Sequence, residues 1–391
     1  MKVFPISVPT TEEALAIYGK KAKICYQVST ELQDPELTSE QKEKYIALSQ
    51  NLNKKAHQSP AEFINCSVYV QDASKWVLLL MTAVDLPYKG MVRSLRFREP
   101  GVTKYSGPDY DLYDKWHALF LDVIAKEYPD MPDRDRQTAA NQNSRGFVNL
   151  FSPSYSFEYC LDFRNLCYFI NWLQDFAKED TSGLFMHLAQ IEAEQLAAQL
   201  KELCPAADII KDTKGGCLDL FKKDIPSTFY GRSFEHNFKD VSWDCIAHIV
   251  RHRKDWRYWL VFDELRRSYY VAPILHKYPE LLAEYLKDME SLSDAGMFPG
   301  ASLLTLVSSG NCQSSMWALL ERSECGTVLL ETQRAYQEFW KVYHDSIDIS
   351  LYPHEFMLLD KYYKVPKGCT GLYDCTEPCY WGCGRYNDRL V

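Results

Sequence analysis

The sequence predicts an α+β protein of two domains followed by a short cysteine-rich tail, and three observations carry that prediction. Apolar residues recur at helical spacing along much of the chain, a strand-like alternation appears in the first half, and the order of elements repeats in the second half. The length of 391 residues, with 46% hydrophobic and 14% aromatic content, supplies a core large enough for two ordinary domains or one large one.

In the first half, spacing of three and four predicts helices over Glu12 to Cys25, Glu40 to Ala56, Leu112 to Lys126, Phe163 to Ala177 and Leu184 to Leu203. Alternation through Phe63, Asn65, Ser67 and Tyr69 predicts a strand over Ala61 to Val70, which leads into the apolar segment Trp76 to Val84. Beyond Cys204 and Pro205 the chain turns polar and glycine-containing (Lys211, Asp212, Thr213, Lys214, Gly215, Gly216), as a junction would. Helical spacing resumes over Val241 to Arg253, Leu281 to Ser293, Asn311 to Arg322 and Thr327 to Tyr343. Each half therefore runs from a short strand region through a helix, a basic loop and a variable polar stretch to a pair of long helices. The period of about 190 residues suits duplication of a whole domain, although two unrelated α+β domains fit the same pattern. The expected boundaries are 1–210, 211–360 and a tail over 361–391.

A formal charge of −9 argues against a nucleic-acid polymer as partner. Local clusters (Arg93, Arg96 and Arg98; Arg251, Arg253 and Arg257) suit the phosphates of a small anionic ligand instead. Met1 to Thr11 has neither a basic nor an apolar signal region, and the longest apolar runs fall short of a membrane span, so a cytoplasmic, membrane-free protein is expected. Of thirteen cysteines, nine are scattered in apolar or helical context, which fits reduced core residues.

Four segments of the first half resemble, in order, the conserved stretches of the flavin-dependent thymidylate synthases (ThyX). Ala22-Lys23-Ile24-Cys25-Tyr26 resembles the A-R-x-C-Y helix end, and His57-Gln58-Ser59-Pro60-Ala61-Glu62-Phe63 the H-x-S-P-x-E-H stretch. Asp162 to Ile170 is similar to the N-A-R-x-L-x-x-F-L helix, and Ala189-Gln190-Ile191-Glu192 to the A-Q-x-E-I helix. In the second half, Ala247 to Arg253 resembles the signature R-H-R with its preceding helix, Asp263-Glu264-Leu265 the N-E-x that follows, and Asn311 to Arg322 the N-A-R helix again. The resemblance implies two ThyX-like domains, each a small, mostly antiparallel sheet packed with long helices.

The resemblance also implies a site. FAD would be held by His57, Arg164, Arg251, His252, Arg253 and Glu264, because a pyrophosphate needs several planar cationic forks. The substrate nucleotide would be held by Arg145, His248, Arg266, Arg267, Ser268 and Arg322. Arg322 would polarise the pyrimidine ring as the catalytic residue. For the basic trio the plain alternative is a solvated turn, and for Arg322 a cation favoured by a helix C-terminus. The implied reaction moves a one-carbon unit from methylenetetrahydrofolate to C5 of a pyrimidine deoxynucleotide such as dUMP, with NADPH reducing the flavin. The halves differ in complementary ways. An ungapped reading from Ser59 puts Tyr88-Lys89-Gly90 where R-H-R is expected, Arg164 faces Gln313, and Leu173 faces Arg322. These losses predict a homodimer acting as a pseudo-tetramer with composite sites.

Extra residues in the basic loop, His248 in place of the family's glutamine and Phe63 in place of its histidine admit other outcomes: a hydroxymethyl product, a flavoenzyme with another substrate, or a nucleotide-binding scaffold without turnover. His236 fits a structural role better than a site. In the tail, Cys369, Cys375, Cys379 and Cys383 have the number of thiols a zinc site needs but not the usual C-x2-C spacing, and an iron–sulfur cluster, two disulfides or free thiols remain alternatives.

Overall fold

The computed structural model describes residues 1–24, 37–55, 57–83, 86–92, 105–210, 220–221, 228–230, 233–251, 257–311, 323, 326, 328–354, 356–357, 360, 380–381 and 389–391. It is an α+β chain that divides into two compact units. Unit one is Met1–Val77, Leu86–Arg93 and Tyr155–Leu218, and unit two is Leu78–Asp85, Ser94–Ser154 and Asp219–Val391. The division is not a single cut near residue 210.

In unit one, strands β1 (Lys2–Ser7), β2 (Asn65–Ser74), β3 (Lys89–Val92) and β4 (Pro153–Asp162) form a sheet in the order β1-β2-β4-β3. β1 runs antiparallel to β2 (Lys2 opposite Gln71) and β3 antiparallel to β4 (Lys89 opposite Cys160). Cys66, Val68 and Val70 of β2 all point inward, the period of two expected of a half-buried strand. Helix α1 (Thr11–Ile24) packs on α2 (Ser39–Lys54), which opens with a capping box. There the Gln41 N–H donates to Thr38 Oγ1 at 3.3 Å, and the Thr38 N–H donates to Gln41 Oε1 at 2.9 Å. Helix α3 (Lys75–Ala83) follows β2 directly.

The stretch between β3 and β4 holds α4 (Pro108–Glu127) and α5 (Asp133–Ser144), and its apolar face explains why it belongs to unit two. Trp116 of α4 stacks on Phe147 at 5.6 Å and meets Tyr285 edge-on at 5.0 Å, while its indole N–H donates to Asp288 at 2.8 Å. Tyr285 and Asp288 lie on α9 (Pro279–Asp294). The chain then passes through β4 to α6 (Phe163–Phe176) and α7 (Leu184–Leu203) of unit one.

The second sheet is formed by β5 (Thr228–Tyr230), β6 (Ser233–Ser242), β7 (Arg257–Val261) and β8 (Leu303–Asn311), with α8 (Trp243–Val250) after β6 and α10 (Leu330–Ser346) near the end. Its order is β5-β6-β8-β7, the same arrangement of first, second, fourth and third strands as in unit one. The likeness reaches single residues. β2 and β6 are both ten residues long, and both hold an aspartate in the left-handed region at the eighth position, Asp72 at φ 55° and Asp240 at φ 53°. Both strands end on a serine whose hydroxyl accepts an N–H from the next helix, Val77 to Ser74 at 3.0 Å and Cys245 to Ser242 at 3.1 Å. Each serine hydroxyl also donates to a glutamate further along its own unit, Ser74 to Glu192 at 2.5 Å and Ser242 to Glu331 at 2.6 Å.

Some expectations shift. The strand predicted from Ala61 starts later, because Ser59–Phe63 forms a 3-10 turn with Pro60 in its first positions, where a missing N–H costs nothing. Trp76 to Val84 is mostly helix α3, buried all round, so no polar face marked its period. Helix α5 carried no apolar stripe: Ala139, Ala140, Asn141, Asn143 and Ser144 are buried, with Asn143 Nδ2 donating to the Ala139 carbonyl at 2.7 Å. Of the helix expected over Asn311 to Arg322, Asn311 ends β8 and the rest lies outside the described residues.

Candidate functional site

Unit two gathers a polar cluster around α8. Ser242 caps the helix, and its backbone N–H and hydroxyl donate to the two carboxylate oxygens of Glu331, both at 2.6 Å. Burial pushes the Glu331 carboxyl up to about 7 against the opposing pull of the Ser242 bonds, with Asp244 raising it further and Arg145 lowering it. In the first turn of α8, the Asp244 carboxylate lies 3.4 Å from Arg145 Nε. Arg145 sits in a 3-10 turn directly after α5, and the residues following it lace onto the segment before β8. The Ala301 N–H donates to the Gly146 carbonyl at 2.9 Å, Gly300 to Val148 at 3.1 Å, and Leu150 to Phe298 at 2.8 Å. That pairing carries an arginine from the first half of the sequence into the unit that holds α8.

Arg145 is 4% exposed, and its Nε has no hydrogen-bond partner among the described residues. Its one ion pair, at 3.4 Å to a carboxylate of the same burial, leaves donors of the guanidinium fork for another acceptor. At the other end of α8, Arg251 Nε donates to the Ala247 carbonyl at 2.8 Å. Asp244 and Arg251 are seven residues apart, about 10 Å along the helix axis. Between them His248 is 1% exposed, its Nδ1 3.3 Å from the Thr332 hydroxyl of α10. The ring expected to read a pyrimidine is therefore packed on the inner face of the helix.

In the loop after β7, Glu264 is half-buried. Arg266 pairs with Asp240 and Arg267 with Asp294, both at exposed positions, and the Ser268 carbonyl accepts from Leu303 at 2.9 Å. His236 is buried with its ring stacked on Phe339 at 4.4 Å, and burial drives its pKa down to about 3, so it is a neutral core histidine as expected.

Unit one holds the other two expected cofactor ligands. His57 accepts a 2.5 Å bond from the Tyr18 hydroxyl at its carbonyl. Burial raises that hydroxyl to about 12, with the nearby Arg164 charge opposing it. Arg164, second residue of α6, is buried and ion-paired with Glu62 of the Ser59–Phe63 turn, and burial likewise raises the neighbouring Asp162 carboxyl. An open cleft of about 520 Å³ in this unit is lined by Pro5, Ile6, Val8, Ile17, Phe63 and Asn65 and contains none of the expected ligands. Arg322, His252, Arg253, Cys369, Cys375, Cys379 and Cys383 lie outside the described residues, as do Arg93, Arg96 and Arg98. Among the described residues no group of histidine, cysteine or acidic side chains could hold a metal ion, and no helix is long and apolar enough to cross a membrane.

Three residues of the cluster escaped the sequence reading: Ser242, Asp244 and Glu331. A signal for the first was present, since Asp72-Ala73-Ser74 and Asp240-Val241-Ser242 repeat as D-x-S ahead of the same kind of helix. Set side by side on those serines, the halves place Arg251 opposite Ala83, at the end of α3, while Tyr88-Lys89-Gly90 leads into and begins β3. The first half still has no arginine there.

No family model and no curated protein matches the chain. Among solved structures, it resembles a UMP/dUMP methylase, PolB from Streptomyces cacaoi bound with 5-Br dUMP, at 16% identity and a TM-score of 0.32, covering 53% of this chain and 93% of that one. It resembles the flavin-dependent thymidylate synthase ThyX from Helicobacter pylori complexed with FAD and dUMP at 16% identity and a TM-score of 0.33, covering 54% and 99%. A further Helicobacter pylori ThyX structure with FAD and dUMP matches at 17% identity and a TM-score of 0.32, covering 54% and 98%.

Proposed function

We propose that the protein is a tandem-duplicated ThyX-like enzyme that transfers a one-carbon unit, as methyl or hydroxymethyl, to C5 of a pyrimidine deoxynucleotide such as dUMP. FAD would be its cofactor, with methylenetetrahydrofolate and NADPH as cosubstrates, and two chains would pair. The observation that carries the reading is Arg145: a buried guanidinium with unspent donors, brought by tertiary pairing to the start of the helix that runs into the R-H-R segment. The matched strand orders and the twin serine–glutamate pairs support duplication.

Within this reading the residues divide the work. Arg145 holds the nucleotide phosphate, a role suited to a planar fork in a poorly hydrated setting, where charge-assisted bonds are strong. Asp244 keeps that fork oriented when the site is empty of substrate. Glu331 and Ser242 fix the start of α8, and Thr332 fixes the ring of His248 on its inner face, so that Arg251 leaves the helix at a defined position. Arg251 with His252, Arg253 and Glu264, and with His57 and Arg164, would hold FAD. The donor set fits an anionic dinucleotide, and Arg164 would exchange Glu62 for it. The flavin, when bound, supplies the hydride. Arg322 would polarise the pyrimidine, and Arg266, Arg267 and Ser268 would line the nucleotide's side of the site.

The test is the visible absorption spectrum of the purified protein after addition of FAD and then dUMP. A flavin band that shifts with dUMP, and a shift needing about 10- to 100-fold more dUMP in Arg145→Ala, is the expected result. Absence of flavin binding under all conditions would overturn the reading in favour of a scaffold. Flavin binding without a dUMP response would point to another substrate.

A further inference from the structure

Independently of that reading, unit one contains a cluster of thiols that no proposed step uses. Cys66 on β2, Cys167 on α6 and Cys204 at the end of α7 are all buried, and Cys160 on β4 is half-buried. The sulfurs of Cys167 and Cys204 are 3.9 Å apart. A disulfide needs about 2.05 Å, so the two must close by about 1.9 Å. The backbone holds the pair in place from a second point: Asn171, one helical turn after Cys167, donates through Nδ2 to the carbonyl of Ala207, three residues after Cys204, at 3.1 Å. α6 and the turn following α7 are thus already joined one helical turn beyond the sulfurs.

We propose that Cys167 and Cys204 form a peroxide-oxidisable dithiol, whose closure to a disulfide ties α6 to the end of α7. The two thiols are unlike, which assigns their roles. Cys204 is held below the ordinary thiol range by the hydrogen bond from Cys167 and by the N–H groups of Ala207 and Ala206. Cys167 is held above it by its contact with Cys204 and by burial, and burial raises Cys66 as well. The Cys204 thiolate therefore attacks one oxygen of hydrogen peroxide. The O–O bond breaks, the leaving hydroxide takes a proton to become water, and a sulfenic acid remains. Cys167 then gives up its proton and attacks that sulfur, forming the S–S bond and expelling a second water. Two thiols are oxidised by two electrons, and one peroxide is reduced to two waters.

The thiols fall on separate tryptic peptides: 56–75 for Cys66, 146–164 for Cys160, 165–178 for Cys167 and 202–211 for Cys204. The experiment titrates the full chain with hydrogen peroxide, alkylates remaining thiols in denaturant and maps the peptides by mass. The expected result is a linked 165–178/202–211 species, lighter by two hydrogens than its parts and released by dithiothreitol, while Cys66 remains alkylatable. A sulfinic acid on Cys204 without linkage, a Cys66–Cys204 link, or both thiols surviving a dose that oxidises half-buried Cys160 would each overturn the proposal. In Cys204→Ser, Cys167 should stay alkylatable at the dose that links the wild type. Equal oxidation of Cys167 there would overturn the assigned order of attack, and if that variant fails to fold, the wild-type map decides alone.

Discussion

At the scale of single residues, a buried carboxyl that accepts bonds from a helix cap has opposing demands, and Glu331 shows how they settle. Burial dominates and lifts its pKa from 4.5 to about 7, with Asp244 and Arg145 as the charged groups facing it. The shift corresponds to about 3 kcal/mol between the two protonation states. Because the folded pKa is the higher one, the stabilising contribution is complete below the unfolded pKa and is lost as pH rises through the folded one. Stability should therefore fall between about pH 5 and 8, and Glu331→Gln should flatten part of that fall in a plot of Tm against pH. Glu192 adds to the fall, since burial also raises its carboxyl to about 7, while His236, lowered by burial from 6.5 to about 3, opposes it below about pH 6.5. An unchanged slope in the variant would refute the assignment.

At the scale of elements, two helices in unit one approach so closely that only glycine fits between them. A Cβ placed on Gly19 of α1 would lie 2.0 Å from the Tyr45 carbonyl oxygen of α2, and backbone at that distance cannot be displaced by a rotamer change. Gly19→Ala should push α2 away and destabilise unit one by about 1–3 kcal/mol or more. Urea denaturation and earlier proteolysis within Ser39–Lys54 would register it; a wild-type midpoint would show that the helices do not meet there. The helices themselves were legible from periodicity, with α7 read to the residue, because amphipathic spacing is a local property. α3 and α5 were not, since one is apolar all round and the other buries amides and small side chains.

At the scale of the whole molecule, the end of the chain returns to the core of unit two. Arg389 donates through Nη1 to the Gly326 carbonyl at 3.0 Å, Leu390 accepts from Ile274 at 3.0 Å, and the Leu390 N–H donates to the Tyr128 hydroxyl at 3.0 Å. Val391 is buried in the same cluster as Trp116 and Tyr285. Removing residues 389–391 should speed hydrogen exchange around Pro273–Lys277 and the end of α4 while leaving unit one unchanged. Uniform loss of protection in both units would show that the anchor acts globally instead.

The sequence by itself determined the α+β class, the long helices, the recurrence of one element order and the residue types suited to an anionic ligand. All of these are written in local spacing and composition. The tertiary structure alone decided that residues 94–154 belong with the second half, that Arg145 meets Asp244, and that His248 faces inward. It also placed Glu331 beneath Ser242 and brought Cys167 to Cys204. Those facts depend on pairings between segments tens to more than a hundred residues apart, such as Gly146 with Ala301 or Ser242 with Glu331. A contact of that kind is fixed by the burial of faces against one another, which no window along the chain contains.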